Sequence, residues 1–255
     1  GKKSLVSKAA NMAASKGILV VNAAGNDGKN EWKIIATPSD ADSVLAVGGI
    51  NPYSDYHINF SSFGPTADKR MKPNLCAFGQ VVVSGKKGLE ESFGTSFATP
   101  LLAGFSACAW QMKRNLTNME LFRELEKSGD MYPYFDYAHG YGVPQASYFT
   151  KDDKQNPQPT FEFVADEYFL KVVIKDEFLK AKKETFENLT DAVEEEISTY
   201  NNNLFYHIEN ASGYLDKYYV LRVEKAEILD LNKEKFIKGQ KIMVFYQGYS
   251  EMYNF

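Results

Sequence analysis

The residues best suited to chemistry lie in Ser92-Phe93-Gly94-Thr95-Ser96-Phe97-Ala98-Thr99-Pro100. Gly94 permits a sharp turn without a Cβ clash. From there Ala98, Leu101, Leu102, Phe105, Cys108, Ala109 and Met112 recur at helical spacing. Ser96 therefore falls at a helix N-terminus, where unpaired N–H groups and the helix dipole favour developing negative charge. A serine before a helix is ordinarily an N-cap, and for Thr95 or Ser96 that reading stands beside a nucleophilic one. Pro100 weighs against the plain cap. It has no N–H, and its ring crowds the carbonyl four residues back, that of Ser96 itself. An ordinary helix has no reason to disturb its first turn there, whereas a site that positions one hydroxyl does.

Other elements must place partners around that hydroxyl. Ser4 can cap a helix with Leu5, Val6, Ala9, Met12 and Ala13 on one face, and Gly17 supplies a left-handed stop. Ile18-Leu19-Val20-Val21 is a continuous apolar run, the pattern of a strand buried on both faces of a parallel sheet. Asn22 within it needs a hydrogen-bond partner if buried. The run ends in Ala23-Ala24-Gly25-Asn26-Asp27-Gly28, which taken alone is a turn signal. Ser43–Ile50 reads as a second short strand, and Val81–Val83 with a loop at Gly85–Gly88 leads back to Ser96. Beyond the helix, Thr117-Asn118-Met119-Glu120 is a capping box, with Leu121, Phe122 and Leu125 as its apolar face.

Gly94-Thr95-Ser96-Phe97-Ala98-Thr99-Pro100 resembles the nucleophile motif Gly-Thr-Ser-x-Ala-x-Pro of the subtilisin-like serine peptidases, the subtilases. The resemblance implies Ser96 as nucleophile. It makes the apolar strand running into Ala-Gly-Asn similar to the oxyanion-hole segment, with Asn26 as the oxyanion donor. Ala23, Ala24 and Gly25 would line one wall of the pocket for the side chain before the scissile bond, with Gly94 and Thr95 also against substrate. Pro38 falls where members often carry a cis proline. Phe60-Ser61-Ser62-Phe63-Gly64-Pro65 resembles the family's Phe-Ser-x-x-Gly turn. Lys72-Pro73-Asn74-Leu75-Cys76-Ala77-Phe78-Gly79 resembles its Lys-Pro-Asp-x-x-Ala-Pro-Gly segment, with Asn74 and Phe78 as departures. His139-Gly140-Tyr141-Gly142-Val143-Pro144-Gln145-Ala146 resembles the Gly-Tyr-Gly-x-Val-Asn-Ala stretch that closes the catalytic domain. The motifs are collinear from about Ser4 to Phe149.

A serine peptidase also needs a base and an acid to orient it. The family supplies them from Asp-[Ser/Thr]-Gly and His-Gly-Thr segments, and neither occurs here. None of His57, His139 and His207 is followed by Gly-Thr, so all three read as structural. The chain is thus expected to be a fragment holding the C-terminal half of a catalytic domain, inactive alone and needing the missing N-terminal half as its partner. The other reading is a non-catalytic relative that binds or builds through its C-terminal domain.

The 255 residues are 44% hydrophobic and 24% charged, as in soluble globular proteins. A net charge of −4 gives no basic footprint for nucleic acid, and no apolar stretch is long enough to span a bilayer. Two cysteines make no disulfide framework, and Cys108 reads as a buried small hydrophobe. The expected fold is α/β, the C-terminal part of a subtilisin-like parallel-sheet three-layer domain over 1–150. A linker at 151–159 and a smaller, mostly-β, sandwich-like domain over 160–255 follow. Strands are expected at Phe161–Val164, Tyr168–Ile174, Leu204–Ile208, Tyr218–Val223 and Ile242–Tyr246, and a helix or long excursion at Lys182–Glu196. The resemblance implies peptide or protein substrates and a secreted or periplasmic location. Many subtilases bind calcium, but no acidic cluster here is assigned to a metal or other cofactor.

Overall fold

Residues 3–86, 88–150, 157–179 and 202–255 are described by a computed structural model, in which the chain divides into two units, Gly1–Lys154 and Gln155–Phe255. Residues 151–156 of the expected linker and the expected helix at Lys182–Glu196 lie outside the described residues.

In the first unit, α1 (Leu5–Ser15) leads into β1 (Val20–Ala23), which pairs in parallel with β2 (Val44–Ile50). A third parallel strand, β3 (Leu75–Phe78), completes the order β1-β2-β3. The central strand β2 is buried at every residue, as its unbroken apolar run requires. A hairpin of β4 (Gln80–Gly85) and β5 (Gly88–Phe93) then delivers the chain to Gly94 and α2 (Thr95–Met112). Ala98, Leu102 and Ala109 of α2 pack with Leu45 and Val47 of β2, and with Leu75 and Ala77 of β3. The next helix, α3 (Asn118–Lys127), adds Leu121, Phe122 and Leu125 to that core. Its capping box is complete: the Thr117 side chain accepts from Glu120 N–H, and a Glu120 oxygen accepts from Thr117 N–H at 2.7 Å. A short α4 (Ser147–Thr150) adds Phe149.

The expected helix α1 forms with its apolar face pointing away from the sheet: Ser7 and Ala14 are its buried residues, while Leu5 is 82% exposed and Met12 65%. Two expectations are corrected here. The first strand is an edge strand, half-buried along its length rather than covered on both faces. Cys108 is exposed, on the outward side of α2 with Leu101 and Met112. The outward sides of α1 and α2 carry exposed apolar side chains, Leu5 and Met12 on the first and Leu101 and Met112 on the second. The partner required by Asn22 is present, since its Nδ2 donates to Ser39 Oγ at 2.8 Å. The Thr37–Pro38 peptide is cis.

In the second unit, β6 (Phe161–Ala165), β7 (Phe169–Ile174) and β10 (Glu227–Asn232) form one antiparallel sheet. A second antiparallel sheet contains β8 (Asn203–Glu209), β9 (Leu215–Arg222), β11 (Lys241–Tyr246) and β12 (Tyr249–Asn254), in the order β12-β11-β8-β9. Alternate residues of the two sheets meet in one core, with Phe161, Leu170 and Val172 from the first and Leu204, Ile242 and Val244 from the second. Two faces sharing one core is a sandwich. Strands β10 and β12 escaped the sequence reading because charged and polar residues interrupt their apolar runs. The architecture is therefore α/β followed by antiparallel β. No helix of the described residues is long and apolar enough to cross a membrane.

Candidate active site

Strand β1 ends at Ala23, and its chain turns through Ala24, Gly25 and Asn26 at the carboxyl end of the parallel sheet, where open α/β sheets build their ligand sites. Gly25 takes a φ of +116°, and a Cβ on it would stand 2.7 Å from Ser62 Oγ. At Gly28 a Cβ would stand 2.4 Å from Ser61 O. The turn is thus pressed against residues 59–62, and hydrogen bonds hold it there. Ser62 N–H donates to Gly25 O at 2.9 Å and Gly28 N–H to Phe60 O at 2.8 Å, while Asp27 N–H donates to Ser62 Oγ at 3.1 Å.

Of the two sequence-nominated residues, Asn26 sits on that turn and is bonded to Thr95, the residue before Ser96. Asn26 and Ser96 are both exposed, whereas Gly94 and Thr95 between them are buried. Asn26 Oδ1 accepts from Thr95 N–H at 3.0 Å and from the Thr95 hydroxyl at 2.9 Å. With its acceptor end held by two donors, the amide presents its Nδ2 donor away from Thr95. That Nδ2 lies 3.6 Å from where a Cβ on Gly94 would sit, beside the turn that carries Ser96. Ser96 is the second residue of α2. Thr95 N–H is used by Asn26 and Phe97 N–H donates to Gly94 O at 3.0 Å. Pro100 cannot return a hydrogen bond to Ser96 O, and the Thr99 hydroxyl instead donates to Thr95 O at 2.8 Å. Of the expected pocket wall, Ala24 is fully buried, and Ala23 and Gly25 are half-buried.

The three histidines have other employment. His139 Nδ1 is 3.1 Å from both Asp136 oxygens, and its Nε2 accepts the His57 backbone N–H at 3.1 Å. The His57 ring stacks on Phe63 at 4.1 Å, and burial holds it neutral, its pKa lowered to about 3. His207 belongs to β8 in the second unit, with Nε2 3.3 Å from Glu209. Among the described residues, no histidine hydrogen-bonds to Ser96. Nor does any group of three His, Cys, Asp or Glu side chains there hold the geometry of a metal site.

Two other buried groups are strongly perturbed, and neither hydrogen-bonds to Ser96 or Asn26. Burial lowers Lys72 to about 7, partly opposed by Glu126. Burial also raises Asp130 to about 6. Sequence reasoning gave Thr95 no part in holding Asn26, gave Ser61 and Ser62 no role beyond their turn motif, read His139 only as structural, and did not single out Asp136. The Phe60–Pro65 turn motif was the available signal for Ser61 and Ser62.

Residues 1–142 match the Subtilase family. Serine protease AprX of Bacillus subtilis (strain 168) is 33% identical over 144 residues, 48% of this chain and 32% of that protein. The thermophilic serine proteinase of Bacillus sp. (strain AK1) is 34% identical over 124 residues, 48% of this chain and 28% of that one. Among solved structures, Sphericase is 28% identical with a TM-score of 0.49, over 57% of this chain and 54% of its own. The matched region thus spans about a third of the length of those curated relatives.

Proposed function

The chain belongs to the Subtilase family, and on that premise we propose that it is the nucleophile-bearing part of a serine endopeptidase. The observation that carries the reading is the amide of Asn26 locked onto Thr95, whose next residue is the exposed Ser96. Ser96 Oγ attacks the scissile carbonyl, and the resulting oxyanion takes hydrogen bonds from Asn26 Nδ2 and the N-terminal turn of α2. Collapse expels the amine as an acyl-enzyme forms, and water then releases the acid. Ala23, Ala24 and Gly25 flank the substrate side chain before the scissile bond, with Gly94 and Thr95 forming the floor beneath the carbonyl.

The base that takes the Ser96 proton is assigned to a segment outside this chain, since both nitrogens of His139 are engaged elsewhere. The same segment would cover the outward faces of α1 and α2 and the open edge of β1. Without it Ser96 is unactivated, and loss of the base costs about 10⁶ in rate in the serine peptidase series where it was dissected. Residues 160–255 are read as a β domain appended to residues 1–150, and an extracellular or periplasmic location goes with the peptidase reading.

A fluorophosphonate probe tests this. The full-length protein should be labelled at Ser96, and Ser96→Ala should abolish both labelling and peptide hydrolysis without lowering the melting temperature. A full-length protein that resists the probe while correctly folded would instead be the non-catalytic relative.

A further inference from the structure

The turn that carries Asn26 does not stand alone; it rests on residues 58–63, and these are held at both ends by one other segment. At the near end, His57 N–H donates to His139 Nε2 at 3.1 Å. At the far end, Gly64 N–H donates to Tyr137 O at 2.8 Å. Between those anchors, Phe60 O and Ser62 take and give the bonds that hold Gly25, Asp27 and Gly28. Ser61 Oγ accepts from Gly49 N–H at 3.0 Å, which also ties the segment to β2. Ser61 and Ser62 are fully buried.

The near anchor depends on a side chain in one protonation pattern. His139 can accept the His57 N–H only with a lone pair on Nε2, so its proton must sit on Nδ1. Asp136 enforces this. Its carboxylate faces Nδ1 and is itself oriented by N–H bonds from Ala138 at 2.8 Å and His139 at 2.7 Å. Asp136 is completely buried and His139 nearly so. Burial raises the Asp136 pKa, but the imidazole and these N–H groups outweigh it and leave it below the ordinary range.

We infer that Asp136 and His139 are positioning residues for the oxyanion turn, acting through the His57 N–H and residues 58–62 on Gly25–Gly28. The inference rests on the peptidase reading for its kinetic consequence only; the mechanical link stands on the bonds just given.

Two substitutions separate the link from simple core packing. In His139→Gln the side-chain oxygen reaches the place of Nε2 and still accepts the His57 N–H. In His139→Asn the amide meets Asp136 in place of Nδ1 but falls short of His57. The full-length protein is measured for hydrogen–deuterium exchange, melting temperature and steady-state kinetics. His139→Asn should lose protection at residues 25–28 as well as 57–62 and lower kcat about tenfold, with KM within twofold, the scale of one misplaced hydrogen bond in a transition state. His139→Gln should restore both. If His139→Asn does not fold, Asp136→Asn is compared with wild type by the same exchange measurement at residues 25–28.

Protection at 25–28 unchanged while 57–62 exchanges faster would overturn the link, and so would equal loss of kcat in the Gln and Asn variants of matched stability. An inactive wild type would count against the peptidase reading alone, and the exchange pattern would still decide the link.

Discussion

Asn26 Oδ1 receives both hydrogen-bond donors of Thr95, its N–H at 3.0 Å and its hydroxyl at 2.9 Å, so the residue preceding Ser96 sets the orientation of the amide beside it. A single contact would leave the amide free to rotate about its last torsion, and two donors on one oxygen hold the NH₂ end outward. Asn26→Ala should therefore lower kcat of the full-length protein by roughly 10² to 10³ with little change in KM, the usual cost of one oxyanion donor. Thr95→Val keeps the shape and the backbone donor but loses the hydroxyl, and should cost about tenfold in kcat. Thr95→Ser should retain activity. Equal activity in Thr95→Val and wild type, measured on a peptide amide substrate, would remove the hydroxyl from this role.

Gly28→Ala should be the most disruptive small change in the site. Its Cβ would meet backbone oxygens at 2.4 Å from Ser61 and 2.5 Å from Asn59, and neither can swing aside as a side chain would. Overpacking of this kind costs about 1–3 kcal/mol. The loss should appear in denaturant unfolding, and kcat should fall with it because the Asn26 turn must move. Gly17→Ala offers a control: nothing lies within 4 Å of its Cβ, and its φ of +89° makes the cost one of backbone strain alone, far from Ser96.

Lys72 should make stability depend on pH in an unusual sense. Its ammonium is buried, with Nζ donating to Val44 O and, at 2.7 Å, to Asn74 Oδ1, and burial lowers its pKa from 10.5 to about 7. Between those values the unfolded chain binds more protons than the folded one, so this group favours folding increasingly as pH rises from about 7 towards 10.5. Below about 7 it is charged in both states and the burial cost is fully felt. Lys72→Met should flatten that part of the profile, seen in melting temperatures taken from pH 6 to 10. A profile unchanged by the substitution would show that Glu126 keeps the lysine charged throughout.

Cys108 and Cys76 should differ sharply towards iodoacetamide. Cys76 is wholly buried in β3, and burial raises its thiol pKa well above the ordinary value. Cys108 lies on the outward face of α2. If a further catalytic-domain segment covers that face in the full-length protein, Cys108 should be protected there in the native state and modified on unfolding. Rapid native modification of Cys108 in the full-length protein would show the face to be open.

Much of this molecule is legible in the chain because the signals are local. The capping box at Thr117 and Glu120 needs four consecutive residues, and it forms as read. The apolar run at Ser43–Ile50 reads as a short strand, and Val44–Ile50 forms one. The approach to Ser96 through Gly94, and the turn after β1, follow from glycine placement and the end of an apolar run. What periodicity could not tell was which side of an element faces in. The spacing of Leu5, Val6, Ala9 and Met12 marks an apolar face on α1, but the sheet takes Ser7 and Ala14 instead. Cys108 shares α2's helical period with Ala109, yet one faces water and the other the core.

The sequence alone thus determined the family motifs, the candidate pair Ser96 and Asn26, and the change from parallel α/β to antiparallel β, because each is written in neighbouring residues. Only the tertiary structure decided what holds the pair. The bonds from Thr95 to Asn26, from Asp27 to Ser62, and from His57 to His139 span 69, 35 and 82 positions. At such separations no local propensity specifies a partner, and the packing of β2, β3 and α2 brings these donors and acceptors within reach.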